Sequence, residues 1–295
     1  MMVVAKSKFD KNTYDKIRKG ASAIELHLDQ DFVGNPTIWD ENIIRSVQIV
    51  AVHAPLIEHK SDIDIEVVAN RGLLVKTCEF ARRVADAQGH TVTIICHLGT
   101  DPEVLKELGV YDSLVIFMRD LATSYEQLEF AIENVTLFDH ATTGSNGHVG
   151  FRPIQFDSPV RFVKDVAHPR VGTCLDTCHA MMDIALLNWI DIHLGTQRYD
   201  VCGEKAIEIE DFFRANADTI KWVHLANIKR HGLGKYHGMP FAEEDVDVLN
   251  YIMTLYKKYG YTCPITIEVK EADYSDAKNY ETTQNTLMSI LHSLD

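Results

Sequence analysis

The sequence lacks several features that would assign it to a particular class of protein. Its six cysteines include no Cys-x-x-Cys pair, and most lie among apolar residues, so reduced core thiols are expected rather than a disulfide framework. No apolar run approaches the roughly 18 residues that a membrane span needs, and the stretch from Met1 to Phe9 has no signal-peptide pattern. We therefore expect a soluble, cytoplasmic protein with no membrane partner.

Positive charge is also scarce. The chain carries 29 Lys and Arg against 43 Asp and Glu, which gives a formal net charge of −14 at pH 7. Such a chain repels phosphate backbones at long range, so nucleic-acid binding would need a local basic or metal-lined patch. The first apolar segment is not followed by a Gly-x-Gly-x-x-Gly turn, and this absence argues against a doubly wound dinucleotide-binding sheet.

What the sequence does contain is eight short apolar segments, most of them followed by a helical pattern. The segments do not alternate strictly, as expected for strands that are covered on both faces. Eight β-then-α units in 295 residues, without a linker or a shift in composition, predict a single α/β domain over residues 1–295, a (β/α)8 TIM barrel. One long helix is predicted over 62–88. The predicted strands are 3–5, 23–28, 47–53, 91–96, 128–132, the run that begins at 171, 222–225 and 265–269.

Six consecutive predicted strands end in, or carry near their end, a side chain that can bind a metal. The C-terminal ends of barrel strands converge on one mouth, so these side chains are expected to meet there. Crowded carboxylates repel each other, and a divalent cation would remove that cost. Mixed imidazole and carboxylate ligands suit Zn, Mn, Co or Fe better than Mg or Ca, and zinc is the favoured ion. The residues are His53, His97, Glu133, Asp176 with His179 three positions later, His224 and Glu268.

The number of these residues bears on the number of metals. Four to six ligands exceed the need of one zinc ion, so a two-metal site is expected. Each residue also has a plainer interpretation, because a lone His or Glu at a strand end is more often a structural partner. Asp176 in particular would suit the N-cap of the following helix. A barrel with only caps and salt bridges at these positions would bind no metal.

The same residues lie in segments that resemble a known family in matching order. Gly-Thr-Cys-Leu-Asp-Thr-Cys-His at 172–179 looks like the Asp-Thr-Cys-His signature of endonuclease IV, within the xylose isomerase-like barrel superfamily. The resemblance runs from about residue 22 to 270. Its other segments are Val-His-Ala-Pro (52–55), Cys-His-Leu-Gly (96–99), Ile-Glu-Asn-Val (132–135), His-Leu-Ala-Asn (224–227) and Ile-Glu-Val (267–269).

This resemblance implies a trinuclear zinc centre that hydrolyses a phosphodiester at abasic sites in DNA. By position, His53, His97 and Glu133 would hold one metal, and Glu133 would bridge to a second. The remaining ligands of the second metal would be Asp176, His224 and Glu268.

The chain departs from the family at the third metal, which His179 would help to hold together with an Asp-x-His pair. The matching segment reads Lys235-Tyr236-His237, and a charged lysine cannot be a ligand. We therefore expect the third metal to be absent or weak, with the Lys235 ammonium as a substitute cation and His237 as a remaining candidate ligand. The loop over 29–39 contains no Arg or Lys, so the DNA-probing loop of the nuclease is not evident.

Sugar or sugar-phosphate isomerases and epimerases of the same superfamily offer an alternative. In that resemblance Glu133 and Glu268 would be the acid/base pair that moves a proton next to a carbonyl. His179 and Arg230 would hold the substrate. A metal-dependent hydrolase is thus the first expectation and an isomerase or epimerase the second, with abasic DNA or a small sugar as the substrate and an oligomeric state that the sequence does not indicate. The single Mn or Co ion of the alternative would be held by Glu133, Asp176, His224 and Glu268.

Overall fold

Eight parallel strands close into a barrel in which each strand pairs with the next one along the chain and the last pairs with the first. The computed structural model describes residues 1–8, 11–29, 41–56, 64–139, 150–151, 154–194, 208–228, 237–271 and 276–294. The predicted (β/α)8 fold is confirmed. The barrel strands are β1 (Val3–Lys8), β2 (Ala23–Asp29), β3 (Gln48–Leu56), β4 (Val92–His97), β5 (Leu128–Glu133), β6 (Val171–Asp176), β7 (Ile220–Leu225) and β8 (Ile265–Ile267).

Helices surround this barrel. A short antiparallel pair, Phe138–Asp139 with Gly150–Phe151, follows β5. Single 3-10 turns lie at Val68–Asn70 and Glu243–Asp245. Among the described residues, none of the helices combines the length and apolar character needed to cross a bilayer. The helices are α1 (Lys11–Arg18), α2 (Glu41–Ser46), α3 (Arg71–Gln88), α4 (Pro102–Glu107), α5 (Tyr111–Ser124), α6 (Ser158–Val166), α7 (Thr177–Leu194), α8 (Ile209–Asn216), α9 (Val246–Lys258) and α10 (Lys278–Leu294).

The helix predicted over 62–88 begins later, at Arg71. Asp64 forms a β-bridge with His97, and the amide of Ile65 donates to the His97 carbonyl at 3.1 Å. The chain then turns, because the amide of Val67 donates back to the Asp64 carbonyl. Pairing with the end of β4 therefore replaces helix in this segment, a non-local contact that helical periodicity does not reveal.

The core has two parts that together position the strand ends. The larger part packs the outer face of the sheet against the helices, and the smaller part is an inner cluster with a buried residue from almost every strand. Alternate residues of a strand face the same side, so the next inward position on each strand lies directly above this cluster. The inner cluster is thus the floor beneath the predicted ligands. The pairs of floor residue and predicted ligand are Ala51 and His53, Ile95 and His97, Ala131 and Glu133, Cys174 and Asp176, and Trp222 and His224.

Gly172 in β6 is required by a close approach of the neighbouring strand. A Cβ at this position would meet the carbonyl oxygen of Thr219 and would lie 2.6 Å from Cγ of Lys221. Glycine therefore lets β6 lie against the start of β7, which sets the register that brings Asp176 opposite His224.

Candidate metal centre

The Glu133 carboxylate, at the end of β5, is the point on which three imidazoles converge. Its Oε2 atom lies 3.0 Å from Nε2 of His53, 3.2 Å from Nε2 of His97 and 3.3 Å from Nδ1 of His224. All four side chains are buried. His53, His97 and Glu133 form one group whose ligand atoms lie within 4.8 Å of one another. The barrel thus brings together the first set of ligands that the sequence predicts.

A second group shares Glu133 with the first and adds three side chains from neighbouring strands. Nδ1 of His224 lies 2.8 Å from Oε2 of Glu268 and 3.9 Å from Oδ2 of Asp176. The four ligand atoms lie within 4.8 Å of one another. Glu268 follows the last residue of β8, and its amide donates to the Leu225 carbonyl at 3.0 Å, which continues the pairing of β8 with β7.

A third group consists of Asp176, His179 and His237. The Nε2 atoms of the two histidines are 3.2 Å apart, and their rings stack with an interplanar angle of 9°. Two residues beyond His237, the backbone of Met239 pairs with that of Asn227 through hydrogen bonds in both directions. Two of the three predicted third-site positions therefore meet Asp176, and Lys235 lies outside the described residues.

Asp176 has both of the roles that the sequence suggests. Its Oδ1 accepts a hydrogen bond from the amide of His179 at 2.8 Å, so it caps α7 as the plainer interpretation predicted. Its Oδ2 is buried, has no hydrogen-bond partner among the described residues and faces the ligand groups. The cap fixes the orientation of the carboxylate without using the atom that would bind a metal.

Hydrogen bonds behind the histidines direct their free nitrogens into the cluster. Nδ1 of His53 lies 2.9 Å from the Ala54 carbonyl, and Nδ1 of His179 lies 2.8 Å from the Asn134 carbonyl. A carbonyl only accepts, so Nδ1 carries the proton in both rings and, in the neutral imidazole, Nε2 has a lone pair. For His53 that lone pair points at a carboxylate oxygen of Glu133.

In His224 the two ring nitrogens exchange these roles, and again one nitrogen faces the cluster. Its Nε2 donates to Oε2 of the buried Glu25 at 2.9 Å, which leaves Nδ1 facing the carboxylates of the second group. Nδ1 of His224, Oδ2 of Asp176 and Oε2 of Glu268 are all buried without a hydrogen-bond partner in the described part of the chain. Acceptor atoms that face one another need a cation between them, so this donor set fits a divalent metal.

The pKa values show how the cluster behaves when metal is absent. Burial, with Glu133 and Glu268 nearby, raises the pKa of Asp176 to about 6. Burial opposes ionisation of Glu133 too, but His224 and His97 hold the pKa of that carboxyl well below its usual range. Despite its own burial, His224 has a raised pKa because several anions surround it. The carboxylates around His224 thus favour a positive charge at this place, which is the kind of charge that a metal ion would supply.

Several residues of the site were missed by the sequence analysis. Nζ of Lys6 lies 2.6 Å from Oε1 of Glu268 and 3.6 Å from Oε1 of Glu25. The His27 ring lies 5.0 Å from the His53 ring. The alternation of Ala23, Glu25 and His27 in β2 was a usable signal, because it places both polar residues on the inward face. Arg230 and residues 30–39 lie outside the described residues.

Comparison with known proteins gives relatives in sequence and in fold. A probable endonuclease 4 of Mycobacterium leprae is 23% identical over 220 residues, which cover 72% of this chain and 71% of that protein. Solved structures with the same fold include a D-tagatose 3-epimerase-like protein (TM-score 0.61, 18% identity, all of both chains). They also include an L-ribulose 3-epimerase (TM-score 0.58, 13% identity, 100% of this chain and 97% of that one).

The family comparison covers most of the chain. The family model of the xylose isomerase-like TIM barrel matches residues 40–290, which hold all of the predicted ligands. Together with the closed eight-stranded barrel, this match shows that the chain belongs to the xylose isomerase-like TIM barrel family.

Proposed function

We propose that this protein is a metal-dependent hydrolase that cleaves a phosphodiester, with abasic-site DNA or a related diester as its substrate. The observation that carries the proposal is the position of Glu133, which belongs to both the first and the second ligand group. A carboxylate shared in this way is suited to bridge two metals. Two adjacent metals suit displacement at phosphorus, where both an attacking and a leaving oxygen need stabilisation.

Within this proposal His53, His97 and Glu133 would hold one ion, and Glu133, Asp176, His224 and Glu268 the other. Zinc is the favoured ion, with Mn, Co or Fe as alternatives. When bound, such ions supply Lewis acidity toward a phosphoryl oxygen and make water acidic enough to ionise near neutral pH. The −14 net charge does not oppose the reaction, because a local cluster of cations attracts phosphate at short range.

The protein's own groups would hold these ions and leave one side open. The hydrogen bonds from His53, His179 and His224 to acceptors behind them keep each ring oriented. His179 and Glu268 are the more exposed members, with 13% and 20% of their side-chain surface accessible. A substrate would approach from this side, where His179 and His237 can contact it or hold a third, weaker ion.

An isomerase or epimerase with one Mn or Co ion is the second candidate. The four-residue group of Glu133, Asp176, His224 and Glu268 favours it, as do the solved epimerases that share the fold. In that case Glu133 and Glu268 would move the proton, and His179 and Arg230 would hold the sugar. The contact of Lys6 with Oε1 of Glu268 favours the hydrolase instead, because it stabilises Glu268 as an anion and makes it a poor proton carrier.

Metal analysis combined with two activity assays distinguishes the candidates. We expect about two zinc ions per chain after dialysis, cleavage of an abasic-site oligonucleotide, and loss of cleavage after chelation. We expect no isomerisation or epimerisation of any sugar in a panel of ketoses. One ion per chain with epimerisation of a ketose would overturn the hydrolase in favour of the alternative. Three tightly held ions would show that the third group binds metal without the missing aspartate.

A further inference from the structure

Lys6, on the inward face of β1, contacts one candidate metal ligand directly and a second one indirectly. Its Nζ lies 2.6 Å from Oε1 of Glu268, a member of the second ligand group. The same Nζ lies 3.6 Å from Oε1 of Glu25, whose other oxygen accepts a hydrogen bond from Nε2 of His224. One ammonium group therefore links the environments of two ligands.

The contact with Glu268 separates the roles of its two oxygens. Oε1 is engaged by Lys6, whereas Oε2 lies 2.8 Å from Nδ1 of His224 and has no hydrogen-bond partner in the described part of the chain. Carboxylates bind metals through one or both oxygens. A Glu268 held in this way offers one oxygen to a metal and keeps the other on Lys6.

The contact with Glu25 acts on the orientation of His224. Oε2 of Glu25 accepts hydrogen bonds from His224 and from Oγ1 of Thr266, which is 2.7 Å away. Nε1 of Trp222 in turn donates to Oγ1 of Thr266 at 2.8 Å. Glu25 is fully buried, and its Oε1 has no hydrogen bond among the described residues. The positive charge of Lys6 therefore compensates the buried negative charge at this oxygen.

We propose that Lys6 is a positioning residue of the metal centre. Its ammonium restricts Glu268 to a single ligand oxygen and, through Glu25, directs Nδ1 of His224 at the same metal. This role rests on the proposed function, because it needs an ion in the second ligand group. It adds a partner behind the ligands that neither the family resemblance nor the ligand pattern supplies.

The test replaces Lys6 with methionine, which is unbranched and similar in length but uncharged. Wild type and Lys6→Met are stripped of metal and reloaded with Co²⁺, whose visible spectrum reports the number and geometry of its ligands. We expect Co²⁺ in Lys6→Met to bind about 10- to 100-fold more weakly in chelator competition, the usual effect of losing a partner behind a ligand. We also expect a changed spectrum, because Glu268 can then bind through both oxygens.

Lys16→Met is the matched control. Lys16 is a second buried lysine beside β1, but its Nζ donates to the backbone carbonyl of Lys6 at 2.7 Å rather than to a ligand carboxylate. This variant should lose stability and keep the Co²⁺ spectrum of the wild type. If both variants changed the spectrum equally, the effect would come from general loosening of β1, and the proposal would be wrong.

The variant Glu25→Gln and the double variant Lys6→Met/Glu25→Gln test the second part of the proposal, in which Lys6 acts on His224 through Glu25. If Lys6 acts on His224 through Glu25, the loss of Co²⁺ binding free energy in the double variant is smaller than the sum of the losses in the two single variants. Additive losses would show that Lys6 does not act on His224 through Glu25. Should Lys6→Met fail to fold, Glu25→Gln alone still decides it, since a wild-type spectrum and affinity in this variant would contradict the linkage.

The remaining outcomes separate this role from the proposed function. A Lys6→Met protein with unchanged metal affinity and spectrum would overturn the role of Lys6, while a wild type that binds two ions and cleaves the oligonucleotide would keep the hydrolase. An increase in KM with unchanged metal binding would make Lys6 a substrate contact and would also overturn it. A wild type that binds no Co²⁺ would overturn both.

Discussion

Glu133 is the residue whose loss should affect both principal ligand groups. We predict that Glu133→Gln lowers the zinc content from about two ions per chain to one or fewer, because the amide cannot supply the bridging charge. The proposed phosphodiesterase activity, as kcat/KM, should fall by at least about 100-fold. Zinc is measured by mass spectrometry after dialysis, and cleavage is measured with the abasic-site oligonucleotide.

Glu129→Gln provides the control, since Glu129 lies four residues earlier in the same strand. Its carboxylate pairs with Lys221 at 2.9 Å and is about one third exposed. Exposed pairs of this kind contribute about 0 to 1 kcal/mol, so zinc content and activity should be unchanged. A Glu133→Gln protein with the full zinc content would contradict the shared-ligand assignment.

Glu66 allows a prediction about pH. Burial, with Asp64 nearby, raises its pKa to about 7, while both its oxygens accept from the amide of Gly99. The folded protein thus holds a proton on Glu66 that the unfolded chain releases near pH 4.5, and its contribution to stability falls as pH rises from about 4.5 to 7. Because Gln resembles the neutral acid, Glu66→Gln should become more stable than wild type across this window, by about 1 to 3 kcal/mol.

The measurement is urea denaturation of the metal-free proteins at several pH values. The wild type and Glu66→Gln should be similar near pH 4.5 and differ most at pH 7 and above. A difference that stays constant with pH would show that Glu66 has an ordinary pKa in the folded protein.

At this scale the sequence predicted which residues meet in the ligand groups better than it predicted the residues behind them. His53, His97 and His224 were found because each lies at or near the end of an apolar run, and the barrel then brings the runs together. Lys6 was missed because it is a single charge inside a strand and its inward direction depends on strand register, whereas for Glu25 the alternation in β2 was a usable signal. Metal binding by any of these residues stays a prediction, as do the roles of Arg230 and Lys235.

At the scale of elements, β6 has no room for a side chain at Gly172. A Cβ there would collide with backbone of the loop before β7, so we predict that Gly172→Ala destabilises the protein by about 1 to 3 kcal/mol. Zinc affinity should fall as well, since the strand carries Asp176. Urea denaturation and zinc competition measure the two effects.

Gly72→Ala in α3 is the matched change, because its Cβ would meet nothing within 4 Å. Alanine in a helix is favoured over glycine by roughly 0.5 to 1 kcal/mol, so this variant should be slightly more stable and bind zinc normally. Equal stability of the two variants would show that β6 can move away from β7.

Elements were predicted where their signal is local. The strands follow from continuous apolar runs, and α7 from the capping aspartate at its start. The predicted start of α3 was wrong because Asp64 and Ile65 pair with the end of β4, and such a pairing leaves no periodicity in the sequence.

For the whole molecule, metal removal is the decisive perturbation. The site groups buried carboxylates, Glu25, Glu133 and Asp176, beside the partly buried Glu268, so chelation should lower the melting temperature. At zinc concentrations about 1,000-fold above Kd, binding contributes about 4 kcal/mol per ion. Thermal unfolding with and without chelator measures the shift, and Glu133→Gln should show a smaller one. An unchanged wild-type melting temperature would contradict a bound metal.

The barrel itself was predictable because its pattern is repetitive: eight apolar runs, most of them followed by a helical pattern, with no linker. The substrate was not predictable in the same way, because the family's members share the barrel and differ in the loops above it. The segments 30–39 and 229–236, which include Arg230 and Lys235, lie outside the described residues.

Closure of the barrel by β8 against β1 has a consequence for biosynthesis. Lys6 leaves the ribosome about 260 residues before Glu268, which at about 5 to 20 residues per second is an interval of roughly 13 to 52 seconds. Toward the end of that time the nascent chain has the imidazoles of the ligand groups but still lacks Glu268, the carboxylate that completes the second ligand group. Metal loading of the proposed second site would therefore be a late, largely post-translational event.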